Sequence, residues 1–156
     1  MFAEPGLRPL RVLPAILGLN VLVFVAFGFA GHGWDAADSD ALIRWGANFG
    51  PLTKGEEPWR LLTYMTLHSG VLHIAVNSFT LMDFGRVCER LFGPARFLAL
   101  YLLSGVAGGL ASIAWNPMVN SVGASGAICG LLGGLLAFTL DARNGLPVAA
   151  LKAQLV

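Results

Sequence analysis

The sequence predicts an all-α protein, a polytopic bundle of membrane helices, and its composition is the first reason. Of the 156 residues, 56% are hydrophobic and 12% are charged, and the mean hydropathy is +0.69. Soluble domains average about 45–50% apolar and about 25% charged residues. The second reason is that uncharged stretches of about 20 residues, the length that a membrane-spanning helix needs, recur along the chain.

Four membrane spans are predicted. Residues 12–31 form the first, and their apolar run exceeds the roughly 7–15 residues of a signal-peptide core without a clear A-x-A pattern after it, which favours a retained anchor. The uncharged run 97–140 is too long for one helix, and NPMVN at residues 116–120 supplies the turn that divides it. The spans are predicted near residues 12–31, 71–91, 97–115 and 122–140.

Charge and cysteine content argue against several functional classes. The net charge is +1 and no basic cluster follows one face, so the sequence does not indicate a nucleic-acid partner. Cys88 and Cys129 show neither a C-x-x-C pattern nor a metal-ligand spacing, which disfavours a disulfide scaffold or a zinc site. We expect both cysteines to be small packing side chains.

The arginine and lysine distribution predicts the orientation. Three segments that lie on one side of four alternating helices carry Arg8, Arg11, Arg86, Arg90, Arg96, Arg143 and Lys152. The positive-inside rule puts residues 1–11 and the tail 141–156 in the cytoplasm, with loop 32–70 outside. Because three tryptophans occur in that loop, it either lies against the bilayer interface or is an ordinary loop with scattered aromatics.

Polar side chains within the second span indicate a functional site, because such groups are costly inside a membrane. His73 and Asn77 are four residues apart and share one helical face. Ser69 is a suitable N-cap, so the helix is predicted to start near Val71, with His68 just before it. The alternative is that His73 and Asn77 only hydrogen-bond to neighbouring helices.

A depth estimate connects this span with Ser125 near the start of the fourth. If Leu140 marks the inner end, Ser125 lies about 22 Å above it, roughly 8 Å below the outer edge of a core about 30 Å thick. His73 reaches the same depth if its helix continues to about residues 88–89, just before a Gly-Pro pair that would stop it.

Glycines recur every four residues in the third and fourth spans, a spacing that lets helix backbones approach closely. They are Gly105, Gly109, Gly126, Gly130 and Gly134. A lone serine in such a span is more often a packing residue than a nucleophile. Ser125 on its own therefore leaves both interpretations open.

Several short motifs occur together in one order along the chain: RWGANFGPLT, then PWRLLT with Trp59 and Arg60, HSGVLHIAVN with His68, His73 and Asn77, VCERLFG with Glu89, and GASG with Gly123, Ser125 and Gly126. The ordered set resembles the bacterial rhomboid intramembrane serine proteases. A G-x-S-x-G elbow of α/β-hydrolases does not fit, because Ala127 stands at its fifth position.

The resemblance implies hydrolysis of peptide bonds in or near the bilayer. It makes Ser125 the nucleophile, while His73, Asn77 and the N–H of Ser125 form an oxyanion hole. It implies no metal or cofactor, and transmembrane proteins as substrates in contact with membrane lipid. Together with the charge and orientation arguments above, the sequence predicts no nucleic-acid partner and a multi-pass protein of the cell (inner) membrane with a cytoplasmic N-terminus.

One element of the family pattern is missing. In rhomboids the general base is a histidine on the sixth helix, but His32, His68 and His73 all precede Ser125, and sixteen residues follow Leu140. About four of the six core helices are therefore expected in a C-terminally truncated chain that is nearly inert alone. We also expect the glycine face of the fourth span to lack packing partners.

Three hypotheses follow from the sequence. The chain is a fragment of an active rhomboid protease, or a rhomboid-like pseudoprotease that binds transmembrane segments without cleaving them, or a structural or transport bundle. Retention of Ser125, His73 and Asn77 argues against the second, and the ordered motifs are unexplained by the third.

Overall fold

The computed structural model describes residues 9–141, which form four long helices and a folded loop (residues 33–70, called the outer loop after the side on which the sequence predicts it). The predictions for Arg8, Arg143 and Lys152 lie outside the described residues. In chain order the helices are α1 (Val12–Phe27, extended by a π turn to His32), α2 (Ser39–Arg44), α3 (Gly50–Thr53), α4 (Arg60–Thr63) with a 3-10 turn (Tyr64–Thr66), α5 (Val71–Phe92), α6 (Pro94–Trp115) and α7 (Ser125–Leu140).

Two segments of the described part combine the length and hydropathy needed to cross a membrane, Val12–His32 and Pro94–Trp115. The 16-residue helix α7 is apolar but shorter. Helix α5 is long enough, with 22 residues, but its C-terminal half carries charged side chains, including Asp83 and Glu89. The architecture is that of an all-helical membrane bundle.

Helix α5 starts at Val71 but is not capped as predicted. The capping position is Gly70, and no side chain caps the helix. Ser69 was the expected cap, but its hydroxyl lies 3.0 Å from His73 Nδ1 instead. At the other end, Gly93 has φ +83°, a left-handed conformation that glycine adopts readily, and α6 begins at the next residue.

The cysteines differ in their surroundings. Cys88 on α5 is fully buried, with Sγ 3.7 Å from the carbonyl oxygen of Leu131, in agreement with a packing role. Cys129 is exposed, so the packing role expected for it is wrong. Cys129 and the buried Leu131 are two positions apart, which places them on opposite faces of α7.

The glycine face of α7 packs directly on α6, in antiparallel order. A Cβ built on Gly126, Gly130 or Gly134 would contact Gly108, Ser104 or Leu100, respectively. Rising residue numbers on α7 pair with falling numbers on α6. The expectation that this face lacks partners is therefore wrong, because α6 fills it.

Replacement of Gly130 by alanine is expected to destabilise the protein by about 1–3 kcal/mol, the usual cost of overpacking. The added methyl group would overlap the Ser104 side chain, and α6 would have to move. Gly133→Ala is the matched control, since no described atom lies within 4 Å of its Cβ position. Thermal unfolding in detergent measures both variants, and equal midpoints would contradict this packing.

Arg60 holds the outer loop together from its interior. The side chain is 4% exposed, and its guanidinium donates to the carbonyl oxygens of Ile43 (2.6 Å) and Ala47 (3.0 Å). It also pairs with the Glu57 carboxylate and stacks on the Trp59 ring, 4.8 Å from the ring centroid. Because its hydrogen bonds reach several segments of the loop, this buried cation holds those segments together.

Candidate active site

Ser125 is the first residue of α7, and its side chain is exposed. No side chain caps this end of the helix, and the N–H of Ile128 is the first to bond back, to the carbonyl oxygen of Ala124. The N–H groups of the first turn therefore lack partners within the helix, and the positive end of the helix dipole lies beside the hydroxyl.

Gly123 joins the turn before Ser125 to helix α5. Its φ of +109° is a conformation that side-chain-bearing residues rarely adopt, and its N–H donates to the carbonyl oxygen of Tyr64 at 2.8 Å. A Cβ built on Gly123 would lie 2.7 Å from His73 Nε2 and 3.7 Å from Asn77 Nδ2. The fold thus brings three of the predicted site residues together with the turn that leads into Ser125.

The hydrogen bonds of His73 determine which ring nitrogen faces Gly123 as a donor. Its Nδ1 accepts the backbone N–H of Ser69 at 3.4 Å. A neutral imidazole carries its proton on the nitrogen that is not accepting, so the proton is on Nε2. His73 therefore presents an N–H donor toward the Gly123 turn.

Asn77 supplies a second donor from the next turn of α5. The side chain is 6% exposed, and its Nδ2 donates one hydrogen to the carbonyl oxygen of His73 at 2.9 Å. An amide nitrogen carries two hydrogens, so one is left for another acceptor. The bond to His73 fixes the orientation of the amide.

His68 is buried next to the His73 ring and does not face the Gly123 turn. It is 2% exposed, its ring centroid is 5.1 Å from that of His73, and its Nδ1 is 3.2 Å from the carbonyl oxygen of Thr66. Burial, and to a smaller extent the charge of His73, lower the pKa of His68 to about 4, while the hydrogen bond to the Thr66 carbonyl partly opposes the shift. His68 is therefore neutral at physiological pH and supports the His73 ring.

The remaining motif residues do not lie at this site. Arg60 lies in the interior of the outer loop, and Trp59, which is 46% exposed, packs on its guanidinium. Glu89 lies sixteen residues beyond His73 on α5, about 24 Å along the helix axis, where it accepts N–H groups from the start of α1. Their contacts are those of structural residues.

Tyr64 is a site residue that the sequence did not reveal. Besides accepting from Gly123, it donates its hydroxyl to the carbonyl oxygen of Gly105 at 2.6 Å. A Cβ on Gly126 would lie 3.1 Å from the Tyr64 hydroxyl oxygen, so Gly126 leaves room for this ring. Tyr64 thus holds the Gly123 turn against α6.

Asn48 fixes the loop before α7 and was also missed. It is fully buried, exchanges backbone hydrogen bonds with Ser121 at 3.0 and 2.9 Å, and donates its Nδ2 to the carbonyl oxygen of Gly109 at 2.9 Å. Thr53 donates to Asn48 Oδ1 at 2.9 Å. The outer loop therefore determines the position of the chain four residues before Ser125.

Within residues 9–141, no group of three or more histidine, cysteine, aspartate or glutamate side chains is placed to hold a metal ion. The site combines hydrogen-bond donors that converge next to an exposed hydroxyl at a helix N-terminus. Such an arrangement stabilises a developing oxyanion.

Comparison with known proteins agrees with this description. Residues 55–156 match the Rhomboid domain family. The chain is 39% identical to Rhomboid protease GluP of Bacillus subtilis over 128 residues, which are 82% of this chain and 24% of that protein. It is 35% identical to Putative rhomboid protease YdcA of Bacillus subtilis over 146 residues, 90% of this chain and 68% of that protein.

A plant relative matches more than half of the chain. The chain is 36% identical to Inactive RHOMBOID-like protein 8 of Arabidopsis thaliana over 91 residues, 58% of this chain and 26% of that protein. The chain thus spans about a quarter of the length of two of these relatives and about two thirds of YdcA. The family match covers more than half of the chain, and YdcA is matched over most of it, so this chain belongs to the rhomboid family.

Proposed function

We propose that this chain carries the nucleophile and oxyanion hole of an intramembrane serine endopeptidase that cleaves transmembrane proteins in or near the bilayer. The observation that supports it most directly is the approach of His73 Nε2 to the Gly123 turn, within 2.7 Å of a Cβ position there. In this proposal Ser125 is the nucleophile.

The proposed reaction starts with attack of the Ser125 hydroxyl oxygen on the carbonyl carbon of the scissile peptide bond. The carbonyl oxygen becomes an oxyanion, which accepts hydrogen bonds from His73 Nε2, Asn77 Nδ2 and the backbone N–H of Ser125. Each such donor typically contributes about 10²- to 10³-fold in rate. The acyl-enzyme formed when the amine leaves is then hydrolysed by water.

The proton of Ser125 needs an acceptor, and the proposal assigns that role to a histidine beyond these 156 residues. In the proposal His73 donates to the oxyanion through Nε2, and His68 is buried behind it. His32 packs against Phe27 and Trp45, with ring centroids 5.0 and 6.0 Å away. None of the three is free to serve both as base and in its present role.

The orientation proposed is multi-pass in the cell (inner) membrane, with the N-terminus in the cytoplasm and the outer loop outside. Arg11, Arg86 and Arg96 are exposed near the ends of α1, α5 and α6 that this orientation puts inside. Ser125 then lies toward the outer leaflet, in contact with lipid and substrate.

Removal of the Ser125 hydroxyl tests the proposal in the full-length protein. With a transmembrane reporter substrate in vesicles, Ser125→Ala should abolish cleavage and Asn77→Ala should slow it by about 10²- to 10³-fold. Thr139→Ala is the control, because it removes an exposed hydroxyl about 21 Å along the same helix.

A substrate-capture experiment distinguishes a protease from a protein that only binds transmembrane segments. Ser125→Ala should still retain the reporter in a co-purification experiment, because binding does not need the nucleophile. If the wild-type protein binds the reporter without cleaving it, the protease proposal fails and the protein is a binding-only member of the family.

A further inference from the structure

A cavity lies between α1, α4, α6 and the 3-10 turn. Its volume is about 300 Å³, at the lower end of the range for small-molecule sites. The lining is apolar apart from a few groups and consists of Ile16, Leu19, Asn20, Leu62, Met65, Thr66, Leu98, Tyr101 and Leu102.

Two polar side chains in this lining have unsatisfied atoms. Asn20 is 1% exposed and Tyr101 is 4% exposed. The amide of Asn20 lies beside the Tyr101 hydroxyl, but neither Asn20 Oδ1 nor the Tyr101 oxygen has a partner at hydrogen-bonding geometry. A buried polar atom without a partner destabilises the folded state, so the pair favours an occupant that completes its hydrogen bonds.

The position of the pair limits the source of this occupant. Asn20 lies eight residues from the start of α1 and Tyr101 seven from the start of α6, about 10–12 Å along each helix and inside the hydrocarbon of a bilayer these helices cross. The rim residues Leu19, Leu62 and Leu102 are 38–50% exposed. The opening is therefore apolar, and the occupant comes from the membrane.

The chemistry of the pair selects a hydroxyl group. A hydroxyl accepts from the Tyr101 O–H and donates to Asn20 Oδ1 together, whereas a hydrocarbon tail does neither and an ester carbonyl can only accept. One water molecule fills about 30 Å³, a small part of a cavity of about 300 Å³ with apolar walls. An aliphatic chain matches the remainder of the space.

We propose that this cavity binds a lipid alcohol, whose hydroxyl group bonds to Asn20 and Tyr101 and whose aliphatic chain occupies the apolar lining. The site is distinct from the proposed active site, because none of its lining residues belongs to the turn before Ser125 or to α5. It does not depend on the protease activity.

The test uses two photoreactive probes with the full native protein in lipid vesicles. One is a long-chain primary alcohol with a diazirine in its chain, and the other is the same chain without the hydroxyl. Mass spectrometry of the cross-linked peptides locates the labels. The alcohol should label the lining segments of α1 and α6 about three- to tenfold more than the alkane, as expected for one or two hydrogen bonds inside a membrane.

Two substitutions should remove this preference. Asn20→Leu and Tyr101→Phe delete the polar atoms, so the alcohol and alkane should then label α1 and α6 equally, while Thr139→Val should leave the preference intact. If the polar variants do not fold, Leu102→Trp provides the test in their place. It fills the cavity from its rim without replacing Asn20 or Tyr101, and it should reduce labelling by both probes.

Equal labelling of the wild-type lining by the two probes would overturn the proposal, and so would a preference that survives Asn20→Leu. Both outcomes would assign the cavity to ordinary lipid tails. Because labelling requires no cleavage, the result is independent of the protease proposal. Loss of cleavage in Ser125→Ala with unchanged labelling would separate the two sites.

Discussion

Gly123→Ala is expected to reduce cleavage by about 10²-fold or more in the full-length protein, although it adds a single methyl group. The residue has φ +109°, so alanine there is strained by roughly 1–2 kcal/mol. The new Cβ would also lie 2.7 Å from His73 Nε2 and displace the ring. Loss of one oxyanion donor alone typically costs about 10²- to 10³-fold in rate.

The matched control is Gly18→Ala, in the middle of α1, where no described atom lies within 4 Å of the Cβ position. Alanine favours helix more than glycine, so this variant should retain both activity and stability. Cleavage rate and unfolding temperature are measured for both. A Gly123→Ala protein that cleaves at the wild-type rate would show that the turn and His73 do not act together.

Much of the site's framework was predictable because it is periodic along the chain. The four-residue spacing of His73 and Asn77 predicted that they share one helical face. The requirement that His73 lie at the same depth as Ser125 predicted the length of α5. The observed helix, Val71–Phe92, ends at the predicted Gly-Pro stop. Such inferences use only the rise and the period of a helix.

The contacts that hold the site in place were not predictable, because they join residues far apart in sequence. Tyr64 accepts from Gly123 through its backbone, which leaves no trace in the sequence. Asn48 bonds to Gly109 and Ser121, 61 and 73 residues away. Ser69 is a residue type that favours the N-cap position, yet its hydroxyl lies next to His73 Nδ1 and does not cap the backbone N–H groups of α5.

The packing face of α7 shows a related limit. Its glycine repeat was recognised, but the sequence does not say which helix meets it. Expected to be empty, the face is covered by α6. The orientation that turns the glycines of α7 toward α6 leaves Cys129 exposed. Small-residue spacing predicts close approach but not the identity of the partner.

Glu89→Ala is expected to lower the free energy of unfolding by about 3 kcal/mol or more, the second large effect. Helix α1 has no side-chain cap of its own and no acidic residue in its first turn. The Glu89 carboxylate replaces the cap from α5, accepting the N–H groups of Arg11 and Val12 through Oε1 and of Leu13 through Oε2, at 2.8–2.9 Å. Each charge-assisted bond contributes about 1.5–3 kcal/mol.

The cost should be concentrated at Leu13. Arg11 is exposed, so water can replace the carboxylate there, but Leu13 is 1% exposed and its N–H would stay buried without a partner. Glu89→Gln keeps one acceptor oxygen and removes the charge, so it should be intermediate between the wild type and Glu89→Ala.

Asp83→Ala is the control, because Asp83 is an exposed carboxylate on the same helix. Unfolding in detergent measures all three variants. If Glu89→Gln were as stable as the wild type, the charge and its attraction to the N-terminal dipole of α1 would contribute nothing, and the effect of Glu89 would come from its hydrogen bonds alone. If Glu89→Ala were also unaffected, the carboxylate would not be what fixes α1 on the helix that carries His73 and Asn77.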